Sequence, residues 1–152
     1  MTMKILAIDP STTSCGWALF NNGVLEEWGE ISNTGDNAFM RSEVIINQLH
    51  FIMVGESPDF IISEYPHKGG PGMKSKSITV LFHFCGMLHG IALSSHINIS
   101  FIEPNKWKGN IPKAVHQKRM IPIYEKKYDI ELDGLSSDIV DAIGIGDWYL
   151  SK

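Results

Sequence analysis

Short apolar runs that end at polar residues and turn signals alternate along this chain with longer stretches of helical spacing. The pattern predicts strands over 3–9, 15–20, 24–31, 59–64 and 97–102 and helices over 36–54, 77–95, 113–127 and 136–150. Asn21, Asn22 and Gly23, between the second and third strands, are typical of a hairpin turn. This order of elements predicts an α/β protein with one mixed five-stranded sheet flanked by helices.

Length and composition are those expected of one soluble globular domain over residues 1–152, with 43% hydrophobic and 20% charged residues. Cys15 and Cys85 show neither zinc spacing nor a disulfide framework, so we expect a reducing compartment, the cytoplasm. Asp9 comes too early for the apolar region of a signal peptide. The uncharged stretch 77–102 contains histidines and serines, which favours a helix and a strand of a soluble core over a membrane span.

Basic side chains are concentrated in the middle of the chain, although the net charge is −4. Residues 1–60 carry two basic and eight acidic side chains, whereas residues 65–128 carry ten basic and two acidic ones, a net charge of +8. This segregation favours one basic surface that faces a polyanion such as nucleic acid. Chance clustering on a solvated face is the alternative.

Four carboxylates are placed where they can converge on metal ions. Asp9 and Glu64 end the first and fourth predicted strands, and Asp138 and Asp141 lie three apart on one helix face. Such hard oxygen ligands suit a pair of Mg²⁺ ions, with Mn²⁺ as a substitute, and this is an apparatus for phosphodiester hydrolysis. One ion would activate water and the other would stabilise the leaving 3′ oxygen. Local alternatives are a turn cap for Asp9, a strand-end ion pair for Glu64 and a helix N-cap for Asp138.

The segment PNKWKGNIPKAVHQKRM combines an aromatic ring with several basic side chains. Lysines neutralise phosphates and a tryptophan can stack on a base or sugar, so the segment is typical of a nucleic-acid-binding surface. The residues predicted to contact DNA are Lys106, Trp107, Lys108, Lys113, Lys118 and Arg119, together with His67, Lys74 and Lys76 of the preceding loop. A buried anchoring role for Trp107 and a solvated helix face for the lysines are the alternatives.

The order of elements and acids resembles the ribonuclease H-like fold, specifically small phage or bacterial members of the RuvC-like Holliday-junction resolvases. The first strand of that family ends in Ile-Asp-Pro before small residues and a Gly-aromatic pair, which IDPSTTSCGW matches. Its second acid is matched by ISEYP, and its Asp-x-x-Asp-Ala pattern by Asp138, Asp141 and Ala142. The resemblance spans the whole chain. Where the family often has a stacking Phe after the second acid, Tyr65 or His67 stands here.

The resemblance implies a magnesium-dependent endonuclease that cuts branched DNA, chiefly four-way junctions, with the four carboxylates as metal ligands. It also implies that Lys108 and Lys113 assist DNA contact. Because the family dimerises through the helix after the second acid, it implies a homodimer through helix 77–95, whose Gly86 and Gly90 would admit a second helix. Burial of this helix under the last helix is the alternative. A two-fold dimer would supply two active sites to a two-fold junction.

Three other functions stay open at this point. A simpler ribonuclease H-like nuclease would act on flaps or hybrids, and a non-catalytic protein would only bind junctions, although four intact acids count against it. An actin-like sugar kinase also begins with Ile-Asp, Thr-Thr and Gly, but that fold needs two such domains and 152 residues are too few. The expected location is the cytoplasm, or the host cytoplasm if a phage encodes the protein.

Overall fold

The computed structural model describes residues 2–66 and 75–152, without the side chains of residues 75 and 76. The strands are β1 (Lys4–Asp9), β2 (Ser14–Asn21), β3 (Val24–Ser32), β4 (Phe60–Glu64) and β5 (Asn98–Ile102). The helices are α1 (Ala38–Glu56), α2 (Ser75–Ser94), α3 (Pro104–Trp107), α4 (Lys113–Tyr128) and α5 (Ser137–Leu150). The predicted boundaries agree within two residues, except that α3 lies in a segment predicted as a loop. Pro104 at its first position favours the helical φ there.

One mixed sheet with the strand order β3-β2-β1-β4-β5 organises the described residues, which confirms the predicted five-stranded mixed sheet. β2 pairs antiparallel with β1 and β3, whereas β4 pairs parallel with β1 and β5. Asn22 and Gly23 close the β2–β3 hairpin with positive φ. Because β1 and β4 are parallel neighbours, their carboxyl ends meet at one edge of the sheet. Asp9 and Glu64, the last residues of these strands, therefore come close together.

Apolar residues of the strands face two helical layers alternately. In β1, Leu6 and Ile8 belong to the cluster that α1 and α2 cover, whereas Ile5 and Ala7 belong to the cluster that α4 and α5 cover. β1 is buried on both faces, which is why it reads as a continuous apolar run. The sheet edge that carries the acids thus rests on the most buried strand of the molecule.

The first turn of α5 is pressed against the sheet because Gly16 of β2 has no side chain. A Cβ at Gly16 would overlap the backbone carbonyl of Asp138. Gly16 is also the register partner of Asp9 across the β1–β2 pair. Ser136 caps α5 by accepting a hydrogen bond from the backbone N–H of Ile139 at 3.3 Å. Close packing at one glycine therefore places Asp138 beside the end of β1.

Helix α2 presents an apolar face to the sheet and a face of small and polar residues to the outside. Phe84 and Leu88 are fully buried against β1 and α1. The outward residues among those described are Ser77, Thr79, His83, Gly86, His89, Gly90, Leu93 and Ser94. By length and composition alone, Ser77–Ser94 would be long enough to cross a membrane, with a mean hydropathy of 1.5. Of this window 28% is buried, and its buried side chains, among them Phe84 and Leu88, pack on the sheet.

Phe84, Met87 and Leu88 of α2 all belong to or pack against the same cluster, because one wide apolar face follows the sheet. The surface left for a second molecule is therefore the glycine-containing face.

Candidate metal centre

The four predicted acids converge at the carboxyl edge of β1 and β4. The Nζ atom of Lys113 lies 3.6 Å from Oδ2 of Asp9, 3.2 Å from Oδ1 of Asp138 and 3.0 Å from Oδ2 of Asp141. One ammonium group can reach three carboxylates only where they surround a common space. Glu64 ends β4, the parallel neighbour of β1, and its negative charge raises the pKa of Asp9. Sequence position alone had predicted this convergence, and the structure brings all four acids together.

Asp9 is the most poorly compensated member of the cluster. Its side chain is buried, and its Oδ2 accepts no hydrogen bond from any described residue. Burial first, and then the charge of Glu64, raise the pKa of Asp9 well above its ordinary value, while Lys113 acts in the opposite direction. A buried carboxylate oxygen without a hydrogen bond is costly, and the Lys113 ammonium at 3.6 Å compensates its charge only in part. This site therefore suits an additional positive charge.

Glu64 is held by two residues that follow β5 in the chain. The indole Nε1 of Trp107 donates a 2.8 Å hydrogen bond to its Oε2, and Nζ of Lys108 lies 3.6 Å from the same oxygen. Burial raises the pKa of Glu64, whereas Lys108 and Trp107 favour its charged form. Both residues were predicted to contact DNA, and in the structure both contact this acid.

The two acids of α5 have partners that the sequence reasoning missed. Ser14 Oγ donates to Asp138 Oδ2 at 2.8 Å, and Gln117 Nε2 donates to Asp141 Oδ1 at 2.8 Å. Gln117 lies four residues after Lys113 on α4, so both side chains leave the same helix face. That spacing was the available signal, although Lys113 was predicted only to contact DNA. Together these bonds fix the first turn of α5 against α4 and β2.

The donor set fits Mg²⁺ or Mn²⁺, because carboxylate oxygens are the ligands that both ions prefer. As the side chains stand, no three His, Cys, Asp or Glu side chains in residues 2–66 and 75–152 have the geometry of a formed ion site. The ammonium of Lys113 occupies the space between three of the acids. Its side chain is 40% exposed and carries several rotatable bonds, and a metal ion held by these acids would have to displace its ammonium.

The basic residues predicted to contact DNA fall into two groups, those exposed to solvent and those directed toward the acids. Lys106, Lys118 and Arg119 are exposed and form no ion pair with any residue that the structure describes. Lys108 and Lys113, by contrast, are directed into the acidic cluster. His67, Lys74 and the side chain of Lys76 lie outside the described residues, so their predicted roles stay predictions.

The predicted stacking of Trp107 on a base or sugar does not agree with the structure. Its side chain is 8% exposed and packs edge-on against His116, with ring centroids 5.1 Å apart. An indole buried in this way cannot stack on a base, so the anchoring alternative replaces the stacking prediction. Tyr65, the other stacking candidate in the described part of the chain, is 36% exposed and packs against Phe82 and Phe101.

Among known proteins, solved structures resemble this fold, whereas sequence comparisons find no match. No protein-family model matches the sequence, and no curated protein matches it significantly. The fold is similar to RuvC of Thermus thermophilus in complex with a Holliday junction substrate, with a TM-score of 0.80 at 12% identity, covering 97% of this chain and 92% of that one.

Two further structures extend the similarity. The fowlpox virus resolvase, solved with Holliday junction DNA, has a TM-score of 0.69 at 16% identity, covering 98% of this chain and 97% of that one. The yeast mitochondrial Holliday junction resolvase Ydc2 has a TM-score of 0.65 at 12% identity, covering 97% and 78%. At these identities the likeness establishes the fold. It confirms the predicted ribonuclease H-like class, in the form seen in RuvC and other Holliday junction resolvases.

Proposed function

We propose that the protein is a metal-dependent endonuclease that hydrolyses phosphodiester bonds in branched DNA, chiefly four-way junctions. The observation that carries this proposal is the convergence of Asp9, Asp138 and Asp141 around the ammonium of Lys113, with Glu64 at the end of the neighbouring strand, in a resolvase-like fold. Mg²⁺ or Mn²⁺ bound by these acids would supply Lewis-acid chemistry, activating water and stabilising the leaving oxygen. That relatives with this fold were solved with Holliday junction DNA supports the substrate class.

In this proposal the residues around the acids hold the metal ligands in position before a metal ion binds. Asp9 presents an oxygen without a hydrogen bond from the end of the central strand, and Gln117 and Ser14 hold the acids of α5 in place. Ligands fixed on strands and a helix need little reorganisation when they bind. If a metal ion took its place among the acids, the ammonium of Lys113 would be available to a DNA phosphate.

Cleavage specificity tests the proposal directly. A labelled four-way junction, a duplex of the same sequence, a flap and an RNA–DNA hybrid are incubated with the protein, with and without Mg²⁺. We expect paired cuts near the branch point, and only with the metal. Preferential cleavage of the flap or hybrid would support a simpler ribonuclease H-like nuclease instead. Tight junction binding without cleavage under Mg²⁺ or Mn²⁺ would support a purely binding function.

The exposed cations of α4 form the proposed DNA-binding surface. Lys118 and Arg119 follow Lys113 by five and six residues, so their side chains leave α4 on another side than the one that faces the acids. Exposed cations that are not engaged with protein carboxylates can release DNA counterions on binding. Lys106 on α3 is a further exposed cation.

Replacing Lys118 and Arg119 by alanine is expected to weaken junction binding and to flatten its salt dependence. The slope of log K against log salt should fall by about 0.9 for each phosphate contact that is lost. Fluorescence anisotropy over a salt series measures both quantities. Lys126→Ala is the matched control, because Lys126 is exposed on the same helix about 10 Å further along. An equal loss in the control would move the DNA surface away from the start of α4.

The proposed active form is a homodimer in which the outward faces of two α2 helices pack together. Gly86 and Gly90 lie one turn apart on this face, and a Cβ at either position would meet nothing within 4 Å. Two helices can approach closely where both lack side chains. Phe84→Glu would not test such an interface, since Phe84 is fully buried and the charge would unfold the core.

Gly86→Leu is expected to convert a dimer into a monomer while the fold is retained. The leucine has open space in the protomer but would separate two helices that meet at their glycines. Analytical ultracentrifugation at micromolar concentration gives the oligomeric state, and thermal melting shows that the protomer is intact. Gly55→Leu is the control, because Gly55 also faces open space but lies on α1. A Gly86→Leu protein that remains dimeric would exclude this interface.

A further inference from the structure

The indole of Trp107 is directed at a carboxylate inside the molecule. Its Nε1 donates to Oε2 of Glu64 at 2.8 Å, and its side chain is 8% exposed. Lys108 approaches the same oxygen at 3.6 Å, and its Nζ lies 5.1 Å from the centre of the indole ring. No described residue donates a hydrogen bond to the other oxygen, Oε1. The two oxygens of Glu64 are thus in different situations, one engaged and one available.

We propose that Trp107 is a positioning residue of the metal centre, which holds Oε2 of Glu64 so that Oε1 is presented to a divalent cation. The inference rests on the proposed function, because it concerns Glu64 as a ligand. Donors behind a ligand carboxylate set its orientation and its charge distribution, and their removal typically changes metal affinity 10–100-fold. Trp107 is suited to this role because an indole has one donor and no acceptor.

The backbone route explains why the indole reaches Glu64. β5 lies parallel to β4, and the N–H of Tyr65 donates to the carbonyl of Ile102 at 2.7 Å, so the two strands end together. Helix α3 starts two residues after β5 and places Trp107 at its last position. A single turn of helix therefore carries the ring back over the end of β4. The unpredicted helix α3 is what makes this contact.

The ring itself is held from two sides. His116 of α4 packs edge-on against it, and Gly144 of α5 lies so close that a Cβ there would be 2.8 Å from the ring. The indole plane is therefore defined by α4 and α5, the helices that also carry Lys113, Asp138 and Asp141. Because the ring packs against these helices and its N–H binds Glu64, the orientation of the Glu64 carboxylate depends on how α4 and α5 are placed.

Indole NMR provides a test that does not depend on catalysis. The chain contains four tryptophans, so a ¹⁵N-labelled protein should give four indole N–H signals. Trp107→Phe removes one signal and thereby assigns it. We expect Glu64→Gln and the addition of Mg²⁺ each to shift the Trp107 signal more than the signals of Trp28 and Trp148. A Trp107 signal that Glu64→Gln leaves in place would overturn the contact.

Metal affinity tests the consequence of that contact. Trp107→Phe should weaken Mn²⁺ binding, measured by electron paramagnetic resonance or calorimetry, by about 10-fold or more. Replacing Trp107 by 3-benzothienylalanine, which has sulfur in place of the indole N–H, should do the same with the ring retained. This second variant keeps the test informative if the phenylalanine variant folds poorly. Trp28→Phe is the control, since Trp28 lies on β3 away from the acids, and its Mn²⁺ affinity should equal the wild-type value.

The outcomes separate the positioning role from the proposed function. Wild-type Mn²⁺ affinity in both Trp107 variants would overturn the positioning role and leave the nuclease proposal standing. A wild-type protein that binds neither Mg²⁺ nor Mn²⁺ would overturn the nuclease proposal, and the metal role of Trp107 with it. In that case the shift of the Trp107 signal on Glu64→Gln would still report the hydrogen bond.

Discussion

Asp9→Asn is expected to abolish cleavage of four-way junctions while leaving the fold at least as stable as in the wild type. The substitution removes an anionic ligand without adding bulk, and a bound metal ion supplies several kcal/mol of transition-state stabilisation, so the rate should fall by about 10³-fold or more. Junction binding should stay within a few-fold, because in the proposed function exposed basic residues, and not Asp9, hold the DNA phosphates. Cleavage with Mg²⁺ and binding without metal are measured on the same preparation.

The stability part of this prediction follows from the burial of Asp9. Because folding raises the pKa of this acid, its ionised form destabilises the native state at neutral pH, and the effect disappears below the pKa of the unfolded chain. A neutral asparagine removes that penalty. Thermal melting in the presence of EDTA should therefore show a melting temperature equal to or above that of the wild type.

Asp147→Asn is the matched control on α5. This acid lies outside the cluster and accepts hydrogen bonds of 2.6 Å from Nζ of Lys127 and from the hydroxyl of Tyr128. Its replacement should lower the melting temperature and leave cleavage intact, the reverse of the Asp9 result. Full Mg²⁺-dependent cleavage by Asp9→Asn would refute the proposed metal centre.

Gly16→Ala is expected to damage both the fold and the metal centre. The added methyl group would overlap the backbone carbonyl of Asp138, and a backbone group on a helix cannot rotate away as a side chain can. Overpacking of this kind destabilises by about 1–3 kcal/mol, occasionally more. The first turn of α5 must move, so Mn²⁺ affinity should fall together with the free energy of unfolding. Urea denaturation and metal titration measure the two effects.

Gly55→Ala controls for the loss of glycine itself. Gly55 lies near the end of α1, where an added methyl group would meet nothing within 4 Å, so alanine should stabilise the helix by roughly 0.5–1 kcal/mol. The two substitutions have the same chemistry and opposite expected signs. A Gly16→Ala protein with wild-type stability and metal affinity would show that α5 does not depend on close contact at β2.

The order of elements and the convergence of the four acids could be predicted from local sequence pattern. Periodicity identifies a strand or a helix because side-chain direction repeats every two or 3.6 residues, and this requires no knowledge of neighbours. Asp9 and Glu64 were predictable because both end apolar runs typical of buried strands. Asp138 and Asp141 were predictable because three residues of helix return to the same face.

The surroundings of those acids, by contrast, depend on how the elements pack. Trp107 has an apolar ring and one N–H donor, so the same residue is suited to stacking on a base or to holding a carboxylate. The pairing of β5 with β4 and the single turn of α3 bring it to Glu64. Lys113 likewise reads as a DNA-contacting cation in any basic segment, yet its ammonium lies among three acids. Contacts between residues distant in sequence depend on which elements pack together, and local periodicity carries no record of that packing.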